Sequence, residues 1–158
     1  MDTDTKLANY FIVYVTTLLF FGVGAITTLG LPWYGTLVLP AFMPATPLVA
    51  VIWCALFILA AWSACLFWDK KPHDARFEAT SALFMGNALL VLFWNYAFFG
   101  LHQLVLAFWV SVFIALSVAA LIARLRSLLR TAAWLLAPYL AWVAFAAYLT
   151  YAIWTLNP

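Results

Sequence analysis

Charged residues are scarce in this chain: seven Lys and Arg and five Asp and Glu among 158 residues. Soluble domains carry about a quarter of charged residues, whereas here the charged fraction is 8% and the hydrophobic fraction is 69%. This composition excludes a water-soluble fold. The net charge of +2 offers no basic surface for nucleic acid, so we predict that nucleic acid is not a partner.

Three long stretches lack charge altogether: residues 7–68, 79–123 and 131–158. About 20 residues of helix cross the hydrocarbon core, so the first two stretches must each hold two spans. Prolines and glycines between 30 and 47 divide the first, and Gly100 divides the second. The sequence therefore predicts an all-α integral membrane protein, a bundle of five transmembrane helices in a single domain over 1–158. The predicted spans lie near residues 10–29, 48–68, 79–99, 104–123 and 131–154, with a loop over 30–47.

Five spans place every basic residue on one side of the bilayer, and these are Lys6, Lys70, Lys71, Arg76, Arg124, Arg126 and Arg130. The 30–47 loop, the Gly100 hairpin and the C-terminus contain no charged side chain and share the opposite side. Because basic loops stay in the cytoplasm, we expect a cytoplasmic N-terminus and a non-cytoplasmic 30–47 loop.

Few residues suit catalysis or metal binding. Cys54 and Cys65 are about 16 Å apart along one predicted helix, too far for a disulfide. His73 and His102 fall on opposite membrane faces and cannot share a metal or a catalytic triad. No Asp, Glu, Lys or Arg lies within a predicted span, which argues against ion-coupled pumping. We therefore predict no metal site, no catalytic residue and no obligatory cofactor, and favour a binding protein over an enzyme.

Small residues recur every four positions along the fourth span, at Ala107, Ser111, Ala115, Ala119 and Ala123. Such a stripe lets helix backbones approach closely in lipid. It indicates either packing inside the bundle or a homodimer interface, and both interpretations stay open.

Aromatic residues are abundant: nine Trp, seven Tyr and fourteen Phe. In the third span Asn87, Val91, Trp94 and Phe98 share one helical face. A stripe of this kind is typical either of core packing or of a ligand cavity.

Three blocks of sequence carry a family resemblance. They are residues 33–40 (WYGTLVLP) with Pro44 and Trp53, residues 94–100 (WNYAFFG), and residues 135–142 (LLAPYLAW) with the Leu-Asn ending at 156–157. Together they resemble the TspO, or translocator protein, family. The resemblance runs from about residue 10 to the end of the chain. It implies a TspO-type bundle, often dimeric, with an internal pocket closed by the first loop.

The resemblance also implies a ligand and a set of site residues. Members bind porphyrins and other heme-like tetrapyrroles, sterols and synthetic aromatic ligands, in sensory or transport roles. Carried over by position, the ligand-binding residues are Trp33 and Tyr34 from the loop, with Trp53, Phe57, Asn87, Trp94, Trp142 and Ala146 from the helices. Expected partners are thus an apolar small molecule and the lipid bilayer, with a homodimer as an alternative assembly.

Six positions depart from the family pattern, and three of them, Leu39, Pro47 and Val91, remove a polar group. The residues found instead are Leu39 for Lys, Ala45 for Pro, Pro47 for Trp, Asn87 for Gln, Val91 for Asn and Thr150 for Asn. A thinner polar lining weakens recognition of a carbonyl or carboxylate, since a buried hydrogen bond contributes about 1 kcal/mol. We therefore expect a ligand more apolar than porphyrin to be accepted.

Two alternatives remain at this stage. One is an enzyme that degrades bound porphyrin with light or oxygen, using tryptophans as electron donors. The other is a structural partner of another membrane protein, joined through the small-residue stripes and lacking a ligand.

Overall fold

The structure, a computed structural model, describes residues 3–70 and 75–158, and within these ranges it is helical without strands. The predictions for Lys71 and His73, and for the side chain of Lys6, fall outside the described residues. The helices are α1 (Thr3–Tyr34), α2 (Thr46–Lys70), α3 (Ala75–Asn95), a π-helical turn (Tyr96–Gly100), α4 (Leu104–Leu128), α5 (Arg130–Leu135) and α6 (Ala137–Leu156).

Five helical segments in the described ranges are long and apolar enough to cross a bilayer. A helix pairs its backbone N–H and C=O groups internally, and this is required because the hydrocarbon of the bilayer offers them no hydrogen-bond partner. Large apolar side chains cover the outside of the bundle, as at Phe21, Trp62 and Phe113, all more than half exposed. The predicted fold class, an all-α bundle of five transmembrane helices, is confirmed.

The core lies where α2, α3, α4 and the α5–α6 segment meet. Its most deeply buried large side chains are Phe67, Leu121, Leu125 and Leu136. Helix α1 packs at the edge, against α2, α3 and the π-helical turn. Gly30 is the only buried residue of α1 among those whose burial is described. Helix α1 is therefore the least buried of the spanning helices.

The predicted end of the first span at residue 29 is wrong. Helix α1 continues through Gly30 and Pro32 to Tyr34. A proline within a helix removes one backbone hydrogen bond, whereas unwinding inside lipid would expose several, each at a larger cost. Trp33 and Tyr34 therefore belong to the last turn of α1, and the predicted 30–47 loop shrinks to the non-helical segment 35–45.

The fifth span is a broken helix. Helix α5 ends at Leu135 and α6 begins at Ala137, with Leu136 between them. Pro138 has no N–H to donate to the carbonyl of residue 134, and this missing bond accounts for the break. The predicted span over 131–154 corresponds to the membrane-spanning segment Arg130–Leu156, and the structure adds that a break divides this segment into two helices.

The end of α1 is held by a close backbone approach. The π-helical turn is widened by a hydrogen bond from the Leu101 N–H to the Tyr96 carbonyl at 2.8 Å, and this turn presents Phe99 to Gly30. A Cβ atom on residue 30 would lie 2.6 Å from both the Cβ and the carbonyl oxygen of Phe99. Only glycine fits at this crossing.

The small-residue stripe of α4 has two different surroundings. Ala107 and Ser111 are buried inside the bundle, 0% and 3% exposed, whereas Ala119 and Ala123 are exposed on its outer surface. The first half of the stripe thus serves helix packing within the chain. A homodimer through the second half stays a prediction.

Substitution of Gly30 by alanine is expected to destabilise the bundle by about 1–3 kcal/mol, because an added methyl group must displace backbone at Phe99. The measurement is the thermal midpoint of the purified protein in detergent. Gly86→Ala is the control, since a Cβ there meets nothing within 4 Å and alanine favours helix. Equal midpoints for the two variants would contradict this packing.

Candidate functional site

A cavity of about 360 Å³ lies inside the bundle. Its walls come from α1, α2, the end of α3 with the π-helical turn, α4 and α6, and Met43 reaches it from the 35–45 segment. None of the described residues that line it is charged. The cavity is thus an apolar chamber at the end of the bundle that the 35–45 segment covers.

Aromatic rings form two faces of this chamber. On one side Trp53 lies 6.5 Å from Trp142 at an interplanar angle of 86°, with Phe57 5.5 Å from Trp53. On the other side Trp94 stacks on Phe98 with ring centroids 5.1 Å apart. Such rings offer flat, rigid, polarisable surfaces that suit a planar apolar molecule.

The polar groups in the cavity wall are few, and some lack partners. The indole nitrogens of Trp94 and Trp142 are buried without an acceptor among the described residues. A buried donor left unpaired costs about 1–3 kcal/mol. Both tryptophans line the cavity, while their indole nitrogens are themselves enclosed, so an acceptor atom of a ligand would reach them only after a shift of the rings.

The structure brings six of the eight predicted site residues to the cavity wall: Tyr34, Trp53, Phe57, Trp94, Trp142 and Ala146. Trp33 is elsewhere. Its ring stacks on His102 at 4.1 Å and meets the edge of Phe98 at 5.6 Å, so it supports the wall from behind. That any of these residues contacts a ligand stays a prediction.

Asn87 does not line the cavity. Its amide Nδ2 donates to the Ser117 hydroxyl at 2.8 Å, and its Oδ1 accepts from the Tyr139 hydroxyl at 3.0 Å. These bonds tie α3 to α4 and α6 inside the core, where Asn87 is 8% exposed. Its amide is used for helix packing and is not presented to a ligand.

The structure shows where four residues that depart from the family pattern lie. Val91 lines the cavity as an apolar residue, and Thr150 donates its hydroxyl to the Ala146 carbonyl in its own helix at 2.8 Å. Pro47 stands in the first turn of α2, where a proline is well tolerated. Leu39 is exposed on the 35–45 segment. The lining at positions 91 and 150 thus offers no amide.

Asn157 holds the 35–45 segment at the cavity end of the bundle, whereas in the sequence it was only part of the family resemblance and had no predicted role. Its Oδ1 accepts from the Val38 N–H at 2.9 Å, and its Nδ2 donates to the Val38 carbonyl at 3.0 Å and to the Ile153 carbonyl at 2.8 Å. The side chain thus pairs with the backbone of the 35–45 segment as a neighbouring strand would. Its partner is backbone, so no residue pattern in the sequence could reveal the contact.

The fold and this site define a class: a five-helix membrane protein with an aromatic-walled cavity whose described lining residues are uncharged and include Met43 of the 35–45 segment. The sequence profile of the TspO/MBR family matches residues 11–155. The chain belongs to the TspO/MBR family, as the resemblance had indicated.

Individual relatives agree with that assignment over most of the chain. The tryptophan-rich protein TspO of Bacillus cereus is 29% identical over 155 residues, covering 96% of this chain and 98% of the relative. The translocator protein of Ovis aries is 34% identical over 140 residues, covering 87% and 82%. Protein CrtK of Rhodobacter capsulatus is 32% identical over 135 residues, covering 85% and 84%.

Asn157→Leu is expected to release the 35–45 segment, because both bonds to the Val38 backbone are lost at about 1 kcal/mol each. Hydrogen–deuterium exchange should show the Val38 amide exchanging about tenfold faster or more, since each 1.4 kcal/mol is a factor of ten.

Thr155→Ala on the same helix is the control, because Thr155 bonds only the Ala152 carbonyl of α6. Unchanged exchange at Val38 in Asn157→Leu would contradict the closing role of Asn157.

Proposed function

We propose that this chain binds a flat apolar ligand in the cavity, a tetrapyrrole or another aromatic or sterol-like molecule, in a sensory or transport role. Family membership supports a membrane protein of the sensory or transport type. The observation that carries the proposal is the charge-free cavity whose wall includes three tryptophans, Trp53, Trp94 and Trp142.

The chemistry of the wall suits such a ligand. Ligand cavities are mostly apolar with a few placed polar groups, and this wall combines aromatic faces with the unpaired indole N–H groups of Trp94 and Trp142. Stacking on the rings contributes about 0.5–1.5 kcal/mol per pair beyond the burial of apolar area. The N–H groups then orient the edge of the molecule.

The volume of the cavity is too small for a large ligand unless a wall moves. Cavities of roughly 300–1,000 Å³ hold drug-sized molecules, and about 360 Å³ is at the small end of that range. A complete tetrapyrrole therefore requires an outward shift of a wall. Helix α1 is the wall with the least buried surface, so α1 and the 35–45 segment are the elements that we expect to move.

The proposal includes a direction of access. The described basic residues lie at or next to helix ends, at Lys70, Arg76, Arg124, Arg126 and Arg130, and the alternation of helices puts the 35–45 segment at the other end. With the basic end cytoplasmic, ligand enters from the non-cytoplasmic side or laterally from lipid. The apolar surface of α1 favours the lateral route for a molecule dissolved in the bilayer.

Titration with protoporphyrin IX tests the proposal, with the Soret absorbance of the porphyrin followed so that the readout does not depend on tryptophan content. Saturable binding is expected. Trp53→Leu and Trp142→Leu should each weaken it about tenfold, which corresponds to 1.4 kcal/mol of lost ring contact.

Trp62→Leu is the matched control, because Trp62 lies on the same helix as Trp53 and is 56% exposed on the outer surface. Its affinity should equal that of the unmodified protein. Absence of saturable binding, or equal losses for Trp62→Leu and Trp53→Leu, would refute ligand binding in the cavity.

A further inference from the structure

Asn95 places an amide in the cavity wall one helical turn beyond the apolar Val91. It is the last residue of α3, is 5% exposed, and lines the cavity together with Val91. Residues four apart share a helix face. The amide that position 91 lacks is therefore supplied on the same face, nearer to the 35–45 segment.

The hydrogen bonds of Asn95 fix which end of its amide is the donor. The Thr27 hydroxyl on α1 donates to Asn95 Oδ1 at 2.8 Å, and Nδ2 donates to the Val91 carbonyl at 3.4 Å. Reversing the amide would set its oxygen against that carbonyl oxygen, which can only accept. The N–H end of Asn95 therefore lies on the Val91 side.

The Nδ2 group of Asn95 makes only one hydrogen bond, and that bond is long. Ordinary N–H···O bonds are about 2.7–3.2 Å long, so the 3.4 Å bond to Val91 is weak. Nδ2 carries a second hydrogen, for which no acceptor is found among the described residues. Trp94, the preceding residue, and Trp142 across the cavity also hold buried N–H groups without acceptors.

The spare hydrogen-bonding capacity of the amide and indole groups in the wall consists of neutral N–H donors. None of the described lining residues is a cation that could neutralise an anion. A carboxylate moved there would lose its hydration without a counter-charge, at high cost. A neutral carbonyl oxygen accepts from N–H groups and loses far less hydration.

We propose that Asn95 is a specificity-determining residue of the cavity: its free N–H donates to a neutral carbonyl oxygen of the ligand. The cavity then prefers molecules with a ketone, ester or amide carbonyl over analogues with a free carboxylate or with no acceptor. A site built to hydrogen-bond a group rejects the analogue that lacks it, because its own polar group is left unpaired. This inference rests on the proposed function and narrows its ligand class.

Three porphyrins with different side chains test this selectivity on the full chain in lipid nanodiscs. Protoporphyrin IX dimethyl ester offers neutral carbonyls, protoporphyrin IX offers carboxylates, and etioporphyrin has alkyl groups only. The ester should bind most tightly of the three. Asn95→Leu should weaken the ester about tenfold, the fold-change for loss of one good buried hydrogen bond. It should not weaken etioporphyrin, because no N–H group is then left unpaired against the alkyl ligand.

Thr27→Val distinguishes ligand recognition by Asn95 from a role of Asn95 in holding α1 to α3 through Thr27. It removes the bond from α1 but keeps the N–H groups of Asn95, so the preference for the ester should persist. If Asn95 only anchors α1, Thr27→Val and Asn95→Leu will weaken all three porphyrins alike, which overturns the inference. An ester affinity unchanged in Asn95→Leu also overturns it.

Failure of the proposed function has a different signature. In that case none of the three porphyrins binds saturably to the unmodified protein. Size-exclusion profiles and thermal midpoints of both variants establish that they are folded. If Asn95→Leu is not folded, Asn95→Ser takes its place, because serine keeps a small polar side chain but cannot extend an amide N–H to the ligand.

Discussion

The bilayer offers no hydrogen-bond partners, and most features of this structure follow from that constraint. The backbone is satisfied within helices, including a helix α1 that runs through Pro32 to Tyr34. Buried polar side chains find partners either in their own helix, as Thr150 does, or in other helices, as Asn87 does with Tyr139 and Ser117. Against this background, the indole N–H groups of Trp94 and Trp142 are exceptions, since they are buried without an acceptor among the described residues, and we propose that they serve a ligand.

The described hydrogen bond between helix α1 and the bundle, and its closest backbone contact, lie near the end of the helix. Gly30 lies against Phe99, Thr27 bonds Asn95, and the segment that follows α1 is held at Val38 by Asn157. Further back, Leu19 and Val23 pack against the core. The outward shift of α1 that we propose for a large ligand would separate these apolar contacts and leave the packing of α4 on α6 in place.

The sequence predicted the helices well because lipid imposes a simple pattern of charge and length. The predicted end of the first helix was wrong, because Gly30 and Pro32 break helices in water but are tolerated where unwinding would expose backbone to hydrocarbon. The longer α1 places Trp33 and Tyr34 in its last turn, where the sequence had predicted a loop. In the fifth span, the break before Pro138 was not predicted.

The aromatic part of the site could be placed from the sequence, because family resemblance located Trp53, Trp94 and Trp142. The polar part could not. Helical spacing puts Asn87 on the face of Trp94, yet its bond to Tyr139 holds it in the core. Asn95 and Asn157 depend on partners 68 and 119 residues away, and such long-range pairs are invisible without the fold.

The central claim is that the cavity itself holds the ligand, and filling it is the most direct test. Ala146 lines the cavity, whereas Ala144 on the same helix is exposed on the outer surface. The measurement is the affinity for protoporphyrin IX of Ala146→Phe and of Ala144→Phe, with thermal midpoints establishing that both are folded. Loss of binding in Ala146→Phe alone is the expected result, and equal affinity in the two variants would contradict the claim.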